Sequence, residues 1–182
     1  MAILDVSYAT GGDATAKLRQ GTIIYLAQQF LPTKSGSVDQ IEIQIRKNGS
    51  PTGNVWVEIW SDTGSDVPNA VLGGASGNVD VSTLSTDALG AFQAFTWSTN
   101  LPPITAGTKY WIIFAGDYTQ DTNNCAQWIV DTDGSGGASP GEAYSATAGP
   151  TWSDSGPGVA RLFKEYYQAA GTSDDLFGMG EF

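Results

Sequence analysis

The chain has 182 residues and a formal net charge of −11, with 8 basic against 19 acidic side chains. This charge is unfavourable for the phosphate backbone of nucleic acids and for anionic membranes, so we expect neither as a partner. The sequence contains no histidine, which excludes Ser-His-Asp and Cys-His catalysis and histidine-ligated zinc. Its length suits one domain with its own core.

The first part of the chain is small and polar, and we interpret residues 1–21 as an N-terminal arm. Two local alternatives stay open there, a short strand over residues 5–8 and a helical turn over residues 14–19. Residues 22–30 are largely apolar and predict the first firm strand. Pro32 follows it, and proline cannot donate a hydrogen bond to a neighbouring strand.

Two segments between Val38 and Gly64 alternate apolar and polar side chains. Side chains on a strand point to opposite faces with a period of two, so each segment has one apolar face. Residues 47–54 between them are mostly turn formers. The pattern predicts an antiparallel β ribbon with one buried face, whose apolar positions are Ile41, Ile43, Ile45, Val55, Val57 and Ile59.

The remaining apolar segments also predict strands. Residues 109–115 are nearly all apolar, which is typical of a central strand covered on both faces. The single cysteine, Cys125, lies in a predicted strand, and we expect a buried, unreactive thiol. Many short strands separated by turns indicate a β-sandwich or barrel. The other predicted strands cover residues 92–98, 125–131, 142–147 and 159–167.

Several of these turn and core segments resemble a jelly-roll β-sandwich module found in bacterial surface and secreted proteins and in tailed-phage virion proteins. The segments are QFLPTKSG (29–36), SPTGNV (50–55), IWSDTG (59–64) and TAGTKYWI (105–112), with Trp128 and Trp152 later in the chain. The resemblance implies an all-β fold with a single jelly-roll-like antiparallel β-sandwich over residues 22–167. An N-terminal arm (1–21) and a C-terminal tail (168–182) would flank it.

A lone jelly roll with extensions is similar to phage proteins that decorate or cement the capsid, or that associate with the tail. The resemblance therefore implies a non-enzymatic virion structural protein, assembled in the host cytoplasm, whose partner is the major capsid or tail protein. Three-fold positions on capsids favour a homotrimer. The first residues lack the pattern of a signal peptide, which favours the virion over the alternative extracellular or cell-surface location.

The C-terminal tail carries apolar side chains among glycines and acids, and such a segment has too little apolar surface for a core of its own. We expect it to dock on a neighbouring protein. The predicted docking residues are Leu176, Phe177, Met179 and Phe182.

Three tryptophan side chains are the basis for the main alternative function, carbohydrate binding. Trp56 and Trp60 lie on the face opposite Val55, Val57 and Ile59, and with Trp152 they are candidate contacts for a glycan or a protein partner. Aromatic rings on an open sheet face stack on sugars, whereas covered rings are structural. The alternative function is therefore a carbohydrate-binding module. No carboxylate spacing selects a catalytic pair, so we expect no enzyme activity.

One loop has the oxygen spacing of a calcium site. Asp131, Asp133, Ser135, Gly137 and Glu142 match the ligand positions of an EF-hand loop, with Glu142 as the bidentate carboxylate. The alternative interpretation is a solvated linker between two strands. No other metal or cofactor is predicted.

Overall fold

A computed structural model describes residues 2–18, 23–118, 121, 123–136, 143–146, 151–155 and 159–169 of the chain. These residues contain fifteen β-strands, numbered here in chain order, in two antiparallel sheets. The all-β sandwich predicted from the sequence is confirmed. The described residues include one turn of 3-10 helix, Val81–Thr83, and no helix long and apolar enough to cross a membrane.

Within the described ranges, sheet A has eight strands and sheet B has seven. Sheet A consists of β1 (Ile3–Tyr8), β2 (Ala14–Lys17), β4 (Gly36–Asn48), β8 (Ala91–Thr96), β9 (Pro103–Ile104), β11 (Cys125–Asp131), β14 (Ala160–Arg161) and β15 (Phe163–Ala169). Sheet B consists of β3 (Tyr25–Phe30), β5 (Asn54–Asp62), β6 (Pro68–Leu72), β7 (Val79–Asp80), β10 (Tyr110–Gly116), β12 (Ala143–Ala146) and β13 (Trp152–Asp154).

Strand β4 is the central strand of sheet A, and β10 is a central strand of sheet B. The 13 residues of β4 pair with β15, β11, β8 and β9. Sheet B runs β13-β12-β3-β10-β5-β6, with β7 also on β5. Every residue of β10 is buried, which confirms the prediction of a strand covered on both faces.

The prediction of an antiparallel ribbon between Val38 and Gly64 is wrong. Strands β4 and β5 lie in different sheets, and residues 49–53 carry the chain across. Gly49 (φ 66°) and Gly53 (φ 122°) supply backbone conformations that other residues rarely adopt. The apolar rows of the two strands meet across the core in one buried cluster. Alternation fixes which face of a strand is buried, but it does not fix the pairing partner.

The N-terminal residues differ from the arm expected over 1–21. Strand β1 pairs with β15, and β2 pairs with β11, so the described part of this range belongs to sheet A. The short strand expected over residues 5–8 is present within β1, whereas the helical turn expected over residues 14–19 is wrong, because Ala14–Lys17 form a strand. Tyr8 and Leu18 are buried in the main core. Short polar strands give weak sequence patterns because sheet edges need only one apolar face.

The main core lies between the two sheets. It includes Cys125, which is fully buried as predicted, and burial raises the pKa of its thiol. A raised thiol pKa keeps the sulfur protonated and unreactive near neutral pH.

Candidate functional site: the aromatic face of sheet B

A second apolar cluster lies on the outer side of sheet B, away from the main core. Ala27, Trp111 and Ile113 form its base and are completely buried. They alternate along β3 and β10 with residues of the main core, so they point outward. Half-buried aromatic rings cover them. We call this surface the aromatic face and define it by Tyr25, Trp56, Trp60, Tyr144 and Trp152.

The strand register brings these residues together. Trp111 on β10 pairs with Trp60 on β5, and the neighbouring Ile113 pairs with Ala27 on β3. Ala27 in turn pairs with Tyr144 on β12. Larger rings from the surrounding strands pack against the cluster that contains the small side chain of Ala27. Residues from four strands thus form one surface.

Two of the ring pairs on this face pack edge to face and two are tilted. The centroids of Trp60 and Trp152 are 5.9 Å apart with the planes at 86°, and Tyr25 lies 6.2 Å from each of them. Beneath them, Trp111 and Tyr144 are 5.3 Å apart at 74°. This geometry suits the charge distribution of aromatic rings and fixes their positions. It also means that Trp60 and Trp152 do not form one flat platform.

A carboxylate lies between two of the indoles. Trp56 Nε1–H donates to Glu58 Oε1 at 2.9 Å, and Trp60 Nε1–H donates to Glu58 Oε2 at 2.8 Å. The three side chains share one face because they are spaced by two residues on β5. Both donors are neutral, and the two ion pairs found in the described part of the chain do not include Glu58. Its negative charge is held in place without being neutralised.

A second indole-bound carboxylate lies at the end of the same row. Trp111 Nε1–H donates to Asp62 Oδ2 at 2.8 Å, and the backbone N–H of Gly64 donates to Asp62 Oδ1. Asp62 borders a cavity of about 610 Å³ whose lining includes the ion pair of Asp66 and Lys109. The hydrogen bond from Lys109 lowers the pKa of Asp66. Two carboxylates, Glu58 and Asp62, therefore accept hydrogen bonds from the indoles on β5 and β10.

The outer face of sheet A is different in kind. On β4 it presents the polar side chains of residues 40, 42, 44 and 46, which alternate with core positions. Lys164 pairs with Glu42 at 3.0 Å, and its ammonium lies 4.0 Å from the ring centroid of Phe92. Glu42 is therefore neutralised by a cation from the same chain.

The three tryptophans predicted as contacts all belong to the aromatic face. Trp60 and Trp152 touch, and Trp56 is linked to Trp60 through Glu58. Sequence reasoning missed Tyr25, Tyr144 and the role of Glu58. The spacing Trp-x-Glu-x-Trp on an alternating strand was a signal for Glu58, whereas Tyr25 and Tyr144 reach the site only through strand pairing.

In the described part of the predicted calcium loop, Asp131 accepts several hydrogen bonds. Asp131 is completely buried. Its Oδ1 accepts a hydrogen bond from the N–H of Gly134 at 2.9 Å. Its Oδ2 accepts from the Tyr8 hydroxyl at 2.5 Å and from the N–H of Gly136 at 2.8 Å. These bonds, led by that from Tyr8, lower the pKa of Asp131 to about 2. Asp131 thereby ties the loop to β1.

Other acidic groups lie close to Asp131. Oxygens of Asp13, Asp131 and Asp133 all lie within 4.8 Å of one another. Asp133 accepts from the N–H of Ser135, so the loop is organised by its own backbone donors. The remaining predicted ligands, Gly137 and Glu142, lie outside the described residues, as do the predicted docking residues Leu176, Phe177, Met179 and Phe182.

No protein-family model matches the chain, and no curated protein matches its sequence significantly.

Proposed function

We propose that this chain is a non-enzymatic virion structural protein that binds the major capsid or tail protein of a phage through its aromatic face. The observation that carries the proposal is the position of Tyr25, Trp60, Tyr144 and Trp152, which are half-buried on one sheet surface. Tryptophan and tyrosine are enriched at the energetic centres of protein interfaces. The resemblance to decorating and tail-associated phage proteins supports a virion as the place of binding.

The ring geometry supports a protein rather than a sugar as the partner. Trp60 and Trp152 stand nearly perpendicular, at 86°, so neighbouring sugar rings have no continuous flat surface on both. A protein partner places side chains of different shapes against an uneven surface. A net charge of −11 also favours association with a basic surface.

Sedimentation with phage particles tests this proposal. Particles assembled without the chain are mixed with purified chain and pelleted, alongside empty tubes and particles of an unrelated phage. We expect the chain to pellet only with particles of the phage that encodes it, at a saturating copy number. A chain that stays in the supernatant with every particle contradicts the proposal.

Carbohydrate binding is the second candidate, and one observation favours it. Half-buried indoles lie beside the carboxylate of Glu58 on one sheet surface. Aromatic rings stack on sugars, and Glu58 is a suitable acceptor for a sugar O–H. A glycan array together with tryptophan fluorescence tests this candidate. Binding to a defined oligosaccharide, lost in Trp152→Ala, supports it, and an array without hits excludes it for the sugars present.

The proposed location also predicts the assembly state. Capsid decoration at three-fold positions requires three copies related by that axis, so we expect a homotrimer. Native mass spectrometry at micromolar concentration measures this directly. A strict monomer would contradict decoration at a three-fold axis, while sedimentation with particles would still report on attachment elsewhere.

A further inference from the structure

We infer that the aromatic face accepts an arginine side chain of the partner, stacked on Trp56 or Trp60 with its guanidinium bound to Glu58. This inference rests on the proposed function, because it names the chemistry of the partner that the face would bind. It starts from the indole-bound carboxylate, whose charge no described lysine or arginine neutralises.

The carboxylate retains the capacity to bind a cation. An ionised carboxylate offers about four lone-pair positions, and the two indole N–H groups occupy one on each oxygen. The indoles also hold the carboxylate in a fixed orientation, which reduces the entropy lost when a partner binds. Arginine matches such a group because its planar guanidinium donates two parallel hydrogen bonds to a carboxylate and stacks on aromatic rings.

The other sheet of the same molecule shows the complete arrangement. On sheet A, Lys164 binds Glu42 and lies over the ring of Phe92, so cation, carboxylate and aromatic ring are all present. On sheet B, Glu58 and the indoles provide the carboxylate and the rings, and the chain supplies no cation to Glu58 within the described residues. The missing member of this group is therefore expected from a partner.

The surrounding charge selects for the same chemistry. Asp62 adds a second indole-bound carboxylate to the row on β5, and the chain as a whole is strongly acidic. An acidic aromatic surface attracts basic side chains and repels acidic ones, which favours a basic partner surface. Arginine is enriched at protein interfaces for related reasons.

A pair of matched peptides tests the inference. The probe is a tetra-arginine peptide blocked at both ends, and its control is tetra-citrulline, which has nearly the same shape without the charge. Binding is followed by tryptophan fluorescence and calorimetry at low and moderate salt. We expect the arginine peptide to bind and to shift the tryptophan emission, while the citrulline peptide binds at least roughly tenfold more weakly.

Two isosteric variants separate the site from general charge attraction. Glu58→Gln and Glu42→Gln change the net charge equally, but only the first lies on the aromatic face. We expect Glu58→Gln to weaken the arginine peptide roughly tenfold and Glu42→Gln to leave it unchanged. Equal affinities for the wild type and both variants, or equal losses in both, overturn the inference.

Two further measurements cover the remaining outcomes. Trp56→Phe keeps an aromatic ring and removes one hydrogen-bond donor to Glu58, so it tests the same site if Glu58→Gln is unstable. Unchanged binding of the arginine peptide by this variant counts against the inference.

If the chain pellets with particles but does not bind the arginine peptide, the inferred partner chemistry is wrong and the proposed virion role stands. If a neutral oligosaccharide such as cellohexaose binds the face and the peptide does not, the inference is overturned in favour of a glycan.

Discussion

Glu165 lies on β15 with its side chain fully buried, and neither carboxylate oxygen accepts a hydrogen bond of normal geometry from a described residue. Burial, with a smaller contribution from the nearby charge of Asp5, raises its pKa to about 8, and the backbone of Val6 offsets this only in part. The side chain is therefore protonated at neutral pH. When a carboxyl is neutral in the folded core, the free energy of unfolding falls as the pH rises.

The first prediction concerns the variant Glu165→Gln. The folded pKa of Glu165 lies above its ordinary value of 4.5, so its contribution to stability is complete below about pH 4.5 and is lost as pH rises to about 8. The loss approaches about 1.4 kcal/mol per pH unit within this window. Glutamine does not titrate, so the variant should be more stable than the wild type at pH 9. Urea unfolding between pH 4 and 9 measures this.

The matched control for that series is Glu42→Gln, which removes a carboxylate from the outer face of sheet A. Its unfolding free energy should follow the wild-type pH curve between pH 6 and 9. Parallel curves for Glu165→Gln and the wild type would show that Glu165 is ionised in the folded protein.

The second prediction concerns the loop anchor Asp131. Its pKa of about 2 lies below the ordinary 3.8, so its contribution is present above about pH 4 and is lost as pH falls toward 2. Asp131→Asn should destabilise the protein by about 2 kcal/mol at pH 7, because the bonds from Tyr8 and three backbone amides weaken. The difference from the wild type should shrink below pH 3, as measured by thermal unfolding.

Calcium addition distinguishes this anchoring role from a metal site. Hydrogen-bond donors occupy both oxygens of Asp131, so we expect millimolar calcium to leave the melting temperature unchanged. A rise in melting temperature that is reversed by a chelator and absent in Asp133→Asn would instead establish a calcium site in this loop.

At the scale of elements, the N-terminal strand gives the third prediction. Strand β1 pairs with β15 and places Val6 and Tyr8 against the core. Deletion of residues 2–8 should therefore lower the melting temperature by about 10 °C, since each kcal/mol corresponds to a few degrees in a chain of this size. A free arm would be removed without thermal cost. Differential scanning calorimetry of the truncated chain gives the answer, and an unchanged melting temperature would contradict the pairing.

The aromatic face gives the fourth prediction, which separates its base from its surface. Trp111 is completely buried, so Trp111→Ala should cost about 3–5 kcal/mol of stability. Trp60 is half-buried, so Trp60→Ala should cost less, about 1–2 kcal/mol. Chemical unfolding of both variants tests the order. Equal losses would show that Trp60 is as much a part of the core as Trp111.

Some of these elements follow from the sequence and some do not. The alternation of Ile41 to Ile45 and of Val55 to Ile59 correctly predicted two strands with one buried face each. Their pairing was mispredicted, because turn residues are compatible with a crossing between sheets as well as with a hairpin. The aromatic face was predicted only in part from the sequence, because Trp56, Trp60 and Trp152 were identified there, whereas Tyr25 and Tyr144 reach the face through long-range strand pairing.

At the scale of the whole molecule, the two sheets present different surfaces. Sheet A turns outward a polar face whose carboxylate, Glu42, is paired with Lys164. Sheet B turns outward half-buried aromatic rings beside the carboxylates of Glu58 and Asp62. On sheet A a cation of the same chain pairs with Glu42, whereas on sheet B the carboxylate of Glu58 has no such cation among the described residues. This asymmetry is the basis for placing the binding surface on sheet B.

Particle binding by paired face variants tests that placement most directly. One variant carries Trp56→Ala and Trp60→Ala on sheet B, and the other carries Phe92→Ala and Lys164→Ala on sheet A. We predict that the first loses particle binding by roughly a hundredfold and that the second binds like the wild type. If the sheet A variant loses binding while the sheet B variant keeps it, the aromatic face is not the docking surface.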